Sequence, residues 1–309
     1  MTALLGNEKA LKILEKSIKN GKVSHAYLFC GPDGVGKKLF ALQFAKTLNC
    51  ETIGITPCNR CNSCHKADKL IHPDIKLLTT ETKQIKIDVI KEASSFIQSP
   101  PFEGRYRVII IDDAHKMNPK AANALLKTLE EPAKGSVIIL VTGFLKSLLP
   151  TIVSRCLKIN FAPLKDSVIE EILLQNGYEA DKIKDVLPFC NGSVQRGMDL
   201  LNKENLETVQ LIKDFINNLP KKNFAQICSL ADELVEKNRE EIFFSVLTTQ
   251  LRINMLNLAS KNTLKTAEII SYISMLEKAI NFAKLLRYNI TRSFIIETLL
   301  ISLKLREEL

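Results

Sequence analysis

Residues 27–37 read Tyr27-Leu28-Phe29-Cys30-Gly31-Pro32-Asp33-Gly34-Val35-Gly36-Lys37. The four leading residues form a short apolar run suited to a buried strand, and the glycines end it at once. Beyond them Phe40, Ala41, Phe44, Ala45 and Leu48 recur at three-to-four spacing, which marks one face of a helix. Strand, glycine loop and helix in that order make a phosphate cradle. The spacing G-x-x-x-x-G-K turns backbone N–H groups and a lysine toward a polyphosphate at a helix N-terminus. Gly31, Gly34, Gly36 and Lys37 are therefore candidate nucleotide-binding residues, for ATP or ADP. The pattern asks for Ser or Thr next, to give Mg²⁺ a hydroxyl, and Lys38 stands there. A protonated lysine cannot ligate Mg²⁺ and places a positive charge where that cation would sit, so Mg²⁺ and hydrolysis are both disfavoured.

A second half of such a site follows downstream. Val108-Ile109-Ile110-Ile111-Asp112-Asp113 is an apolar strand ending in two carboxylates. In that position Asp112 would hold Mg²⁺ through water and Asp113 would orient an attacking water, in a degenerate form of the usual pair. The plain alternative for either residue is a strand end. An expected helix over Ile85–Ile97, another from Asn118-Pro119 to Leu129, and a β-branched strand Val137–Val141 followed by Thr142 complete an alternating pattern. That alternation predicts an α/β domain, a parallel sheet with helices on both faces, over residues 1–163. After Pro163 the strands cease. Residues 164–204 read as a small helical unit broken at Asn191-Gly192-Ser193, and 205–309 as an all-α domain with apolar residues at helical spacing.

Cys50, Cys58, Cys61 and Cys64 form C-x₇-C-x₂-C-x₂-C inside the α/β region. Four thiolates this close in sequence suit a closed tetrahedral Zn²⁺ site, which is structural because it leaves no open coordination position. A redox dithiol needs only two of them. An iron–sulfur cluster of the ferredoxin kind uses a Cys-Pro fourth ligand that is absent here. His65 is a possible substitute ligand and reads more simply as a surface neighbour. Cys30, Cys156, Cys190 and Cys228 are isolated and read as core or half-buried thiols.

The chain has 309 residues, 46% of them hydrophobic and 25% charged, with a formal net charge of +9. This composition excludes collagen-like, low-complexity and wholly disordered classes. Residues 1–70 hold 11 Lys+Arg and 5 Asp+Glu, so most of the excess lies around the glycine loop. The N-terminal residues carry charges every few positions with no long apolar core, and the most apolar stretches fall short of the ~20 residues a bilayer span needs. The expectation is a cytoplasmic protein with no membrane partner, whose clustered cysteines serve a metal and not disulfides.

Several strings together resemble a AAA+ clamp-loader subunit of bacterial DNA polymerase III. They are Ser24-His25-Ala26-Tyr27-Leu28-Phe29, the four cysteines, Asn123-Ala124-Leu125-Leu126-Lys127-Thr128-Leu129-Glu130-Glu131-Pro132, and Ser154-Arg155-Cys156. The resemblance is dense over residues 1–200, and it implies a lid at 164–204 and an oligomerising collar at 205–309. It also implies that Arg155 acts as an arginine finger on a neighbouring subunit's ATP, and that Thr142 is the sensor at the end of its strand. The implied partners are the gamma/tau and delta subunits, the sliding clamp indirectly, and primed DNA within the assembled complex. The motor subunits of that family carry a Gly-Ser-x-Arg sensor, whereas Gly192-Ser193-Val194-Gln195 has glutamine, with Arg196 one residue later. One residue is ~100° of rotation on a helix, so Arg196 points elsewhere. Together with Lys38 this resembles the stator class of subunit, whose own ATPase is absent or weak. Two alternatives stay open: an ATP-hydrolysing motor of the same family, and a zinc-containing nucleic-acid-binding module on an inactive fold.

Overall fold

The computed structural model describes residues 4–80, 82, 84–260, 266–288 and 290–307. The chain divides into two compact units, one of residues 1–176 with 192–195, the other of 177–191 with 196–309. The segment expected as a lid is thereby shared: its first helix and residues 192–195 belong to the first unit, the remainder to the second.

In the first unit, helix α1 (Glu8–Lys19) precedes strand β1 (Ala26–Cys30), which runs through the glycine loop into α2 (Lys37–Asn49). There follow α3 (Asn62–Asp68), β2 (Ile75–Leu78), α4 (Ile87–Gln98), β3 (Arg107–Ile111), α5 (Pro119–Glu130), β4 (Ser136–Thr142), α6 (Pro150–Val153), β5 (Leu157–Asn160) and α7 (Asp166–Gln175). Asn118 caps α5 by accepting the Ala121 N–H at 2.8 Å, with Pro119 at the first helical position, where its missing donor costs nothing. The helix expected from Ile85 begins at Ile87, because Ile85 forms a parallel bridge with Met117.

Among the described residues five strands form one parallel sheet, in the order β2-β3-β4-β1-β5. Strands β1 and β4 are buried along their whole length, as their apolar runs require. Successive side chains of β1 alternate between faces. Ala26 and Leu28 join Ile109, Ile138 and Leu140 in a core with Ile90 and Ala93 of α4 and Leu125 and Leu129 of α5. Tyr27 and Phe29 point the other way, where Tyr27 meets Phe44 of α2 edge to face at 5.1 Å between centroids and Phe29 meets Phe161 at 5.2 Å. Helices thus cover both faces, the α/β P-loop class expected from the sequence.

The strand order positions the site. Strand β4 lies between β3 and β1, with Ile109 opposite Ile138 and Cys30 opposite Thr142. The acidic end of β3, the end of β4 and the loop after β1 therefore share the carboxyl edge of the sheet, where open parallel sheets place their ligands.

The second unit is helical: α8 (Ala180–Val186), most of α9 (Val194–Leu201), α10 (Lys203–Asn217), α11 (Phe224–Glu236), α12 (Glu240–Ser260), α13 (Thr266–Leu285) and α14 (Arg292–Glu307). Helix α12 packs on α13 and α10, and α11 on α14. A reciprocal capping box between Asn223 and Gln226 opens α11. Buried Glu240 at the start of α12 is neutralised by Arg292 at 2.9 Å. Among the described residues no helix is long and apolar enough to cross a membrane.

Candidate functional site: a self-paired phosphate loop and a cysteine knuckle

The glycine loop has the backbone its motif requires. Gly31 lies so close to the chain after β5 that a Cβ there would stand 2.2 Å from the Phe161 carbonyl oxygen. Gly34, at φ +73°, supports residues 192–195: its carbonyl accepts the Val194 N–H at 3.0 Å, and a Cβ would stand 1.9 Å from Ser193 Oγ. Lys37 is almost wholly buried and folds back on its own loop. Its ammonium donates to the Pro32 carbonyl at 2.6 Å, the Gly31 carbonyl at 2.7 Å and Asp33 Oδ1 at 3.2 Å.

Across the end of β4, Lys38 Nζ sits 3.0 Å from Asp112 Oδ2. The other oxygen, Asp112 Oδ1, accepts the Asp113 N–H at 3.1 Å. Asp113 adopts the left-handed conformation, φ 50°, and its Oδ2 accepts from Lys116 Nζ at 2.8 Å. That hydrogen bond, ahead of the neighbouring charges, raises the Lys116 pKa and keeps it an ammonium. Thr142 is fully buried; its hydroxyl accepts the Phe144 N–H at 3.0 Å and lies 3.4 Å from His115 Nδ1.

The donor set does not fit Mg²⁺. That ion takes six oxygens at about 2.1 Å in near-octahedral geometry. The hydroxyl ligand is replaced by an ammonium, and the same ammonium holds the one carboxylate placed to bind the ion. The structure brings Gly31, Gly34, Gly36, Lys37, Asp112, Asp113 and Thr142 to one edge of the sheet. It adds Asp33, His115 and Lys116, which sequence reasoning passed over. Lys116 was detectable from its three-residue spacing to Asp113, whereas Asp33 lay unremarked within the loop motif itself.

Arg155 follows α6 and is half-exposed. Its Nη2 sits 2.7 Å from Glu130 Oε1 at the end of α5, and its Nη1 donates to the Thr151 carbonyl at 3.0 Å. Glu130 is a further residue unassigned from the sequence, although it stands within a quoted string. Burial pushes the neighbouring Cys156 thiol up to about 12, so it stays protonated and unreactive. Arg196 belongs to the second unit, where burial lowers its pKa.

The four clustered cysteines converge. Cys50 follows α2, Cys61 caps α3, and the four sulfurs lie within 4.8 Å of one another. Four sulfurs bonded at about 2.3 Å to one tetrahedral ion would stand ~3.8 Å apart. The Cys58 to Cys64 separation is already 4.0 Å. Backbone N–H groups turn inward too: Cys58 N–H donates to Cys50 Sγ at 3.3 Å and Cys64 N–H to Cys61 Sγ at 3.4 Å. The Arg60 N–H leads in lowering the Cys58 thiol to about 6, while burial pushes Cys64 up. The set fits a thiophilic metal held by Cys50, Cys58, Cys61 and Cys64. His65 is exposed and outside it.

The knuckle is anchored to the segment before β3. Arg105 donates to the Cys50 carbonyl at 2.9 Å, and Asn49 exchanges two bonds with Tyr106 at 2.8 and 2.9 Å. Beneath lies Asp74, fully buried, accepting the N–H groups of Phe102, Glu103 and Gly104 at 2.7, 2.9 and 2.7 Å. Burial opposes its charge, but the three N–H groups outweigh burial and hold its carboxyl below the usual range. Asp74 N–H donates to His72 Nδ1 at 3.1 Å, which leaves His72 Nε2 to face Ser63 Oγ at 3.1 Å. Although Ser63, His72 and Asp74 carry triad chemistry, the carboxylate faces the loop and not the imidazole, so the cluster is structural.

The family model described as DNA polymerase III, delta subunit, matches residues 6–165. The chain is 34% identical over 222 residues to DNA polymerase III subunit gamma of Buchnera aphidicola subsp. Schizaphis graminum, covering 69% of this chain and 60% of that protein. It is 37% identical over 167 residues to DNA polymerase III subunit delta' of Bacillus subtilis, covering 54% of this chain and 51% of the relative. The matches thus span only half to three-fifths of these curated relatives. A solved DNA polymerase III gamma subunit-related protein from Thermotoga maritima aligns with a TM-score of 0.49 at 19% identity, covering 96% of this chain and 99% of that one.

Proposed function

Because this chain belongs to the DNA polymerase III, delta subunit family, we propose that it is a delta-prime-type stator of the clamp loader, the machine that places a sliding clamp on primed DNA. Its work is geometry and not turnover. In a ring it stands beside a gamma/tau motor subunit, with delta as a further partner, and offers Arg155 to the neighbour's ATP. There the guanidinium spreads positive charge over the transferring phosphoryl group, an effect worth ~10³–10⁵ in rate when a finger is supplied in trans. Within the chain Glu130, the Thr151 carbonyl and Ser154 Oγ hold that guanidinium half-exposed, so part of it is open to a neighbour.

The observation that carries the stator reading is the Lys38 to Asp112 pair at 3.0 Å, which sets an ammonium at the metal position of the chain's own loop. Thr142 fills the sensor place, and Gln195 stands where a motor has its sensor arginine. Zn²⁺ bound by the four cysteines would cross-link the end of α2 to the start of α3, a structural and not a catalytic service. The proposed domains follow the expected boundaries: 1–163 as the AAA+ body with the zinc module at 50–64, 164–204 as lid, and 205–309 as collar.

The likeness to a gamma subunit favours a second reading, a hydrolysing motor, and Lys38 weighs against it. Steady-state hydrolysis by the isolated chain separates the two. The stator reading expects no turnover above background and no change in Lys37→Ala. Turnover that Lys37→Ala abolishes contradicts it.

A further inference from the structure

Three carboxylates lie in or beside the phosphate loop, and each is paired with a lysine of the same chain. Asp33 holds Lys37 at 3.2 Å, Asp112 holds Lys38 at 3.0 Å and Asp113 holds Lys116 at 2.8 Å. Three ammonium groups against three carboxylates leave the site neutral with nothing bound. A phosphate loop that works with Mg²⁺ keeps its carboxylate for a divalent ion that arrives with the nucleotide.

We infer that Lys38 and Lys116 together set the metal specificity of this site: Lys38 is the resident cation of Asp112, Lys116 that of Asp113, and the pair closes the carboxylates to Mg²⁺. Whatever phosphate anion meets the loop does so without a divalent ion. Exposed ion pairs are weak, and exclusion here comes from position and not from pair strength. An ion held to Asp112 through water would find one carboxylate oxygen taken by an ammonium that cannot serve as a ligand and the other by the Asp113 N–H. Its +2 charge would stand beside a fixed +1, and the ordinary escape, a water bridged through the second acid, meets Lys116. Lys38 starts at the first turn of α2, one residue past the loop, so its backbone keeps the ammonium within reach of Asp112 while the helix is intact.

The inference lies apart from the finger reading: metal response in the isolated chain tests this one, hydrolysis in the assembled complex tests the other. The experiment is equilibrium binding of ADP to the full chain, in EDTA and in excess Mg²⁺, for wild type, Lys38→Ala, Lys38→Thr and Lys38→Thr/Lys116→Ala. Thermal melts confirm that each variant is folded. In wild type Mg²⁺ leaves binding unchanged. Lys38→Ala frees Asp112 and gains part of a metal response. Lys38→Thr adds the hydroxyl, and Mg²⁺ tightens its binding by about tenfold, the equivalent of about 1.4 kcal/mol. The double variant gains further. Wild-type binding that Mg²⁺ tightens as much as it does in Lys38→Thr overturns the inference, as does a folded Lys38→Thr indifferent to Mg²⁺. A Lys38→Ala variant as indifferent as wild type, beside a responsive Lys38→Thr, also overturns it, because the missing hydroxyl would then explain everything.

Discussion

At the knuckle four sulfurs converge within 4.8 Å, whereas at the phosphate loop Asp33, Asp112 and Asp113 each hold an ammonium at 2.8 to 3.2 Å. Both sites gather groups that carry negative charge when they work. The loop supplies its own cations from lysines four and three residues from their partners and, for Lys38, across one strand. The knuckle gathers four thiols, and deprotonating them together is favourable only around a metal ion. One region is built to take a cation and the other already contains its own. A motif therefore implies a cofactor only when the charge around it is left unbalanced by the chain.

Testing the knuckle for a metal is the sharpest way to break this contrast. Elemental analysis should find about one zinc per chain, and chelation or Cys61→Ser/Cys64→Ser should abolish protection from hydrogen exchange across 50–72 and lower the melting temperature. Structural zinc contributes about 10–16 kcal/mol in isolated finger peptides. The effect here is smaller, since Arg105, Asn49 and Tyr106 still hold the module. A metal-free chain that melts like the native one would erase the difference between the two sites.

Asp74 sharpens the contrast by showing a third answer, a buried carboxylate satisfied chiefly by three backbone N–H groups, with Arg107 at 3.6 Å. Asp74→Asn should cost about 3 kcal/mol in denaturant unfolding, the scale for breaking a buried charged network. The pH dependence has a definite sign. The folded carboxyl is depressed, so its contribution is complete above the unfolded pKa of about 3.9 and is lost as pH falls through the folded value. The gap between wild type and Asp74→Asn should therefore be constant at neutral pH and close in the acid range. A gap that widens on acidification contradicts the assignment.

The smallest effect belongs to Lys116→Ala. Its pair with Asp113 is partly exposed, so stability should move by no more than about 0.5 kcal/mol. A loss several times larger would mean that the pairs hold up the fold, not that they fill a cation site.

The central strands were legible because runs such as Val108–Ile111 and Val137–Val141 are apolar without interruption, as full burial in a parallel sheet demands. The two outer strands were not. β2 is four residues interrupted by Lys76, and β5 buries only Ile159. The loop, the acids and the cysteines were readable from spacing alone. Lys38 with Asp112 needed the strand order, because 74 residues separate them and only the placement of β4 between β3 and β1 makes them neighbours. Glu130 with Arg155 likewise depends on α5 packing against α6, a tertiary contact no local pattern encodes. The shared ownership of the lid segment has the same origin: Gly34 binds Val194, while the residues after 195 join the helical unit.

Single-turnover hydrolysis by a clamp loader reconstituted with wild-type chain or with Arg155→Ala tests the account most directly, provided both assemble equally by size-exclusion chromatography. The stator account expects the neighbouring motor's rate to fall by about 10³ or more with Arg155→Ala, while Lys37→Ala in this chain leaves that rate unchanged. An intact complex whose hydrolysis is undiminished by Arg155→Ala would contradict it.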